Sequence, residues 1–194
     1  IEVLALARAP ETAGRFEVGD PQGRRVDVAG LWQAGDDAAL TDLRARRFGY
    51  VQQTGGLLPF LSVRENLQLC QRLAGCGSAG RIAALSEALG LTDLLDRKPG
   101  RLSVGQRQRA VVARALAHEP AIILADEPAA SLDVGAAEAL TGLLARLAQR
   151  DGIALLMATH NPRLALDHGF IEVAATVETG CTGQRSTFAY RPGV

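Results

Sequence analysis

Two uninterrupted apolar runs, "AIILA" (121–125) and "IALLMAT" (153–159), constrain this chain more than any other feature. Neither alternates apolar with polar residues, which is how strands buried on both faces of a parallel sheet read. Between them, Val134 to Arg150 places Leu140, Leu143, Leu144 and Leu147 on one helical stripe. Asp133 stands where an N-cap is needed. Strand, helix and strand make a βαβ unit with an expected right-handed crossover. The chain is therefore expected to be α/β, with a mostly parallel sheet. Open sheets of this kind bind ligands at the carboxyl ends of their strands. The first run ends in Asp126-Glu127 and the second in His160. A lone carboxylate pair or a lone histidine at a strand end reads equally well as a solvated terminus. Two strands delivering such groups to one edge weaken that reading.

The remaining stretches divide in the same way. Ile1 to Ala9 is helix-compatible and stops at Pro10. Gly14 to Val28, with "GDPQG", reads as a hairpin. "DDAALTDLRARR" reads as a helix and "FGYVQQ" as a short strand. Ser62 and Glu65 form a capping-box pattern that opens a helix to about Leu73. A second helix spans Arg81 to Leu89 with Gly90 behind it, and a short third runs from Thr92 to about Arg97. Ser103 and Gln106 repeat the capping-box pattern ahead of "GQRQRAVVARALAH". Residues 61–118 thus look like an all-helical subdomain inserted in the α/β core of one domain, 1–194. Phe170 to Tyr190 offers two more strands around "ETGCTG".

Charge narrows the partners. Lys and Arg total 21, Asp and Glu total 21, so the net charge is zero and no nucleic-acid partner is expected. No apolar run approaches the roughly 20 residues of a membrane span. The cysteines Cys70, Cys76 and Cys181 form no CxxC or metal spacing and read as reduced cytosolic thiols. The "LSVGQ" turn (102–106) has its own chemistry: helix N-termini carry unpaired N–H groups that attract phosphate, and Gly105 leaves room for one to approach.

"LSVGQRQR", "IILADEP", "SLD" and "ATH", in this order and spacing, resemble the ATP-binding subunit of an ABC transporter. "LSVGQ" resembles the family signature, with Val104 where glycine is usual. "IILADEP" resembles its Walker B strand, "SLD" its D-loop and His160 its switch histidine. "GYVQQTGGLLPFLSVRENL" resembles the Q-loop and the start of the helical subdomain, with wording closest to the lipoprotein-release and macrolide-export branch. The resemblance implies a P-loop NTPase-like core that hydrolyses ATP with Mg²⁺. It implies that Asp126 holds the metal through water, that Gln53 reaches metal and water, and that Glu127 is the general base. His160 would contact the γ-phosphate. Ser103, Gly105 and Gln106 would grip ATP held by a second ATPase subunit, with Asp133 at the head-to-tail interface. Transmembrane permease subunits would dock beside "GGLLPFLSVREN", where Leu57, Leu58, Phe60 and Leu61 line a groove or simply pack the subdomain. The subunit would be cytoplasmic, peripheral on the inner face of the membrane.

One expected part is missing from these residues. The family's G-x-x-x-x-G-K-[ST] loop cradles the β- and γ-phosphates, yet Lys98 is the only lysine and "LLDR" precedes it. The strand feeding that loop and the aromatic that stacks on adenine are also missing. By the family's spacing Ile1 falls just after the loop, so the N-terminal part of the core is expected to be missing by truncation. The alternatives are a degenerate subunit that donates only its signature turn to a partner's site, and a non-functional gene product. A soluble, non-transport ABC ATPase is a further alternative, although Gln53 lies too near Leu102 for the long coiled coil of the repair and chromosome-structure branch.

Overall fold

The computed structural model describes residues 4–6, 15–19, 24–54, 56–180 and 183–190. In chain order its elements are β1 (Glu17–Gly19), β2 (Arg25–Asp27), α1 (Val28–Ala34), α2 (Asp37–Arg47), β3 (Phe48–Val51), α3 (Val63–Ala74), α4 (Ala79–Ala88), α5 (Val104–Leu116), β4 (Ile122–Asp126), α6 (Val134–Asp151), β5 (Ala154–Ala158), α7 (Pro162–Asp167), β6 (Val173–Gly180) and β7 (Gly183–Tyr190). The central sheet has the order β3-β4-β5 and is wholly parallel, as the two apolar runs require. The two antiparallel pairs, β1-β2 and β6-β7, match the hairpin expected over 14–28 and the strands expected around "ETGCTG". The helix expected over 1–9 lies mostly outside the described residues, and 4–6 form a turn.

β4 is covered on both faces. Ile123 and Ala125 point into a core built with Val111, Val112 and Leu116 of α5 and Leu140, Leu144 and Leu147 of α6. Leu124 points the other way, against Leu6, Val28, Leu40, Leu43 and Phe48. β5 departs from the expectation of burial on both faces. Ala154 and Leu156 are exposed, Leu156 by 41 %. The reason is topological: among the described residues β5 pairs only with β4, so its other edge and one face are uncovered. An uncovered strand edge presents unpaired backbone groups whatever its side chains are.

The helices start and stop where local chemistry dictates. Ser62 Oγ accepts the Glu65 N–H while the Ser62 N–H donates to Glu65 Oε2, so the capping box is complete. Asp133 Oδ1 accepts the Ala136 N–H at 2.9 Å, and Gly152 closes α6 in the left-handed conformation. The third helix expected from Thr92 is only a 3₁₀ turn, Thr92–Leu94. Two helices escaped the sequence reading. α1 is capped by Asp27, which accepts from Gly30, and α7 by Asn161, which accepts from Leu164. α5 packs on β3 with one side and on α3 and α4 with the other. Gly49 permits this approach, since a methyl group there would overlap the Ala115 carbonyl and the Pro120 ring.

Candidate functional site

The parallel register brings the sequence's scattered polar residues to one sheet edge. Val51 of β3 lies opposite Ala125 of β4, and Asp126 lies opposite Ala158 of β5. The chain therefore leaves β3 toward Gln53, β4 toward Glu127 and β5 toward His160 on the same side. Glu127 continues the pairing beyond β4, donating its N–H to the Ala158 carbonyl at 3.0 Å. Its φ of +46° is rare for a residue with a side chain. That turn leaves the carboxylate only 14 % exposed, with Oε1 3.5 Å from His160 Nε2. His160 is itself 98 % exposed, held out by a loop in which Thr159 Oγ1 accepts the Asn161 N–H at 3.0 Å. Glu127, Thr159, His160 and Asn161 line a cleft of ≈ 470 Å³ together with Leu132 and Thr141.

The "LSVGQ" turn is a finished helix cap. Ser103 Oγ accepts the Gln106 N–H at 3.2 Å, and the Ser103 N–H donates to Gln106 Oε1 at 3.0 Å. Gln106 is thus committed to the cap. Val104 and Gly105 occupy the first two helical positions, whose N–H groups have no carbonyl partner within a helix, and Val104 is exposed. Gly105 lies against the "SLD" segment: a Cβ there would sit 3.8 Å from Leu132 Cδ2. Asp133 is spent on capping α6 and remains exposed. The structure therefore gathers Gln53, Asp126, Glu127 and His160 at one edge, and sets Ser103, Gly105 and Gln106 beside the "SLD" segment.

One residue that sequence reasoning overlooked organises the stretch after Gln53. Asn66, fully buried in α3, accepts the Leu58 N–H at 2.8 Å. It also donates to the carbonyls of Leu58, Leu61 and Ser62. An asparagine in a helix interior, eight residues after a loop leucine, is the signal that could have found it. It leaves Phe60 65 % exposed, while Leu57 packs against the core.

Among the described residues no three His, Cys, Asp or Glu side chains gather as a metal cluster. A single carboxylate with an amide oxygen nearby suits Mg²⁺, which keeps most of its waters. Asp126 at the strand end and Gln53 on the neighbouring loop fit that donor set. No helix of the described residues is long and apolar enough to cross a membrane.

The parallel sheet with its helical layer is that of an ABC cassette, and the family comparison agrees: residues 25–130 match the ABC transporter family model. The chain belongs to the ABC transporter family. It is similar to the lipoprotein-releasing system ATP-binding protein LolD of Anaeromyxobacter dehalogenans, 43% identical over 150 residues, covering 75% of this chain and 63% of that protein. It is equally similar to LolD 1 of Rhodospirillum rubrum, 43% identical over 176 residues, covering 84% and 77%. The chain thus spans less than two thirds of the first relative's length and about three quarters of the second's. Among solved structures it is similar to the dimeric cassette MJ0796, with 30% identity and a TM-score of 0.71 over 85% of this chain and 70% of that one. A post-hydrolysis dimer of the same cassette, bound to ADP and Pi, gives 31% identity and a TM-score of 0.70.

Proposed function

We propose that the chain is the ATP-hydrolysing subunit of an ABC transporter of the lipoprotein-release and macrolide-export type, with residues 61–118 as the helical subdomain of its cassette. The observation that carries this reading is the Glu127 carboxylate, half-enclosed at the end of the central strand and 3.5 Å from His160. In this reading Glu127 takes the proton of the attacking water, and His160 steadies that water and the γ-phosphate. Asp126 and Gln53 hold Mg²⁺, which when bound neutralises phosphate charge. Phosphoryl transfer needs mainly positioning and charge stabilisation, which a distributed set of this kind provides.

The cassette pairs head to tail with a second one, as the dimeric relatives suggest. Ser103 and the free amides of Val104 and Gly105 then face the nucleotide of the partner, with Asp133 and Leu132 at the seam. Permease subunits bind on the side of exposed Phe60, placing the cassette at the cytoplasmic face of the membrane.

The test measures phosphate release and Mg·ATP binding by the protein and by its Glu127→Gln variant. Release is expected, and Glu127→Gln is expected to abolish it while binding survives. Unchanged release in that variant removes Glu127 from the role of base.

A further inference from the structure

We propose that Arg81 is a positioning residue that ties the α3–α4 helical layer to the α6–β5 segment presenting Asp133 and His160. The importance of those two residues rests on the function proposed above; the tie itself rests on geometry alone. Arg81 sits in the first turn of α4, yet its side chain is only 12 % exposed. Its Nη2 donates to Asp151 Oδ2 at 2.7 Å and to the Leu116 carbonyl at 3.4 Å. Glu119 Oε1 lies 3.9 Å from its Nε, and Arg150 holds the other oxygen of Asp151 at 2.6 Å.

Two features set this pair apart from the surface ion pairs of the chain. Both side chains are largely out of water, the Asp151 carboxylate being 17 % exposed. Exposed pairs contribute little, whereas removing one partner of a desolvated pair strands the other charge. The second feature is position. α4 packs on α3 and α5, and Arg81 carries the hydrogen-bonded link from α4 to α6. Asp151 is the last residue of α6, whose first turn is capped by Asp133. It is followed by a turn pinned by Ile153 N–H to the Ala148 carbonyl and Ala154 N–H to the Ala121 carbonyl. β5 then runs directly to His160. A shift of α4 therefore pulls on one continuous hydrogen-bonded segment, α6 to β5, whose two far ends are Asp133 and His160.

The test is amide hydrogen exchange on the 194-residue chain without nucleotide, so its outcome is separate from whether the chain hydrolyses ATP. In Arg81→Met and in Asp151→Asn, amides of 79–88 and 149–160 are expected to exchange about tenfold faster or more, while those of 108–116 and 122–126 stay protected, as local opening requires. Arg81→Lys, which keeps a cation facing Asp151 and a donor for the Leu116 carbonyl, is expected to keep most of the protection. If Arg81→Met does not fold, Asp151→Asn carries the test, because it keeps the shape and an acceptor. Unchanged exchange, uniform acceleration over the whole chain, or local acceleration in Arg81→Lys as large as in Arg81→Met would each overturn the proposal.

Discussion

Asn66→Ala isolates the contribution of one buried side chain to the architecture of the loop behind the site. Asn66 makes four side-chain hydrogen bonds, from Leu58 N–H at 2.8 Å and to the carbonyls of Ser62 at 2.9 Å, Leu58 at 3.2 Å and Leu61 at 3.3 Å. The Ser62 carbonyl keeps the Asn66 N–H and the Leu58 carbonyl keeps the Leu61 N–H, so alanine strands two groups rather than four, the Leu58 N–H and the Leu61 carbonyl. Each stranded group costs about 1–3 kcal/mol if it stays dry. Leu58 and Leu61 are only half-buried, so water reaches part of that deficit. A net loss of about 1–3 kcal/mol follows, which for a chain of this size lowers Tm by roughly 3–10 °C. Thermal melts followed by circular dichroism measure the loss, and limited proteolysis locates it, with new cleavage expected in 56–62. Asn66→Asp sharpens the test. It keeps the acceptor for Leu58 N–H but turns an oxygen toward three carbonyls, so its stability is expected to fall as pH rises and the carboxyl loses the proton it could donate. A drop in Tm below about 2 °C for Asn66→Ala would refute the reasoning, since it implies that water replaces every lost bond at no cost.

Two further outcomes follow from the core. His118 donates its Nε2–H to the Phe48 carbonyl at 3.0 Å, and burial, aided by the nearby Arg114 charge, holds its pKa below the ordinary histidine value. The unfolded chain therefore binds the proton first, so stability is full above the ordinary value of about 6.5 and falls as pH drops through it; His118→Gln is expected to flatten that decline in urea titrations between acid and neutral pH. Gly49→Ala is expected to cost about 2 kcal/mol or more, because its methyl group meets the backbone carbonyl of Ala115 in α5, and an unchanged urea midpoint would show that α5 moves aside freely.

Much of this protein was legible in order of residues alone. Apolar runs without alternation announced β4 and β5, and the two capping boxes placed the starts of α3 and α5 at Ser62 and Ser103. These signals are local: a cap or a run depends on neighbours within four residues, so their chemistry survives without the fold. α1 and α7 went unread because each is short, 7 and 6 residues, and α1 carries Gly30 in its interior. Such segments become helices through packing rather than propensity.

The sequence by itself determined the identities and the order of the candidate residues: Gln53, Ser103, Asp126, Glu127, Asp133 and His160, each following a strand or opening a helix. Only the tertiary structure decided which of them meet. Parallel register brought Asp126 opposite Ala158, and with it Glu127 within 3.5 Å of a histidine 33 positions later in the chain. The left-handed φ at Glu127, the link from Arg81 to Asp151 and the uncovered face of β5 belong to the same level. Each depends on contacts between segments far apart in the chain, and no window of residues around any of them contains its partner.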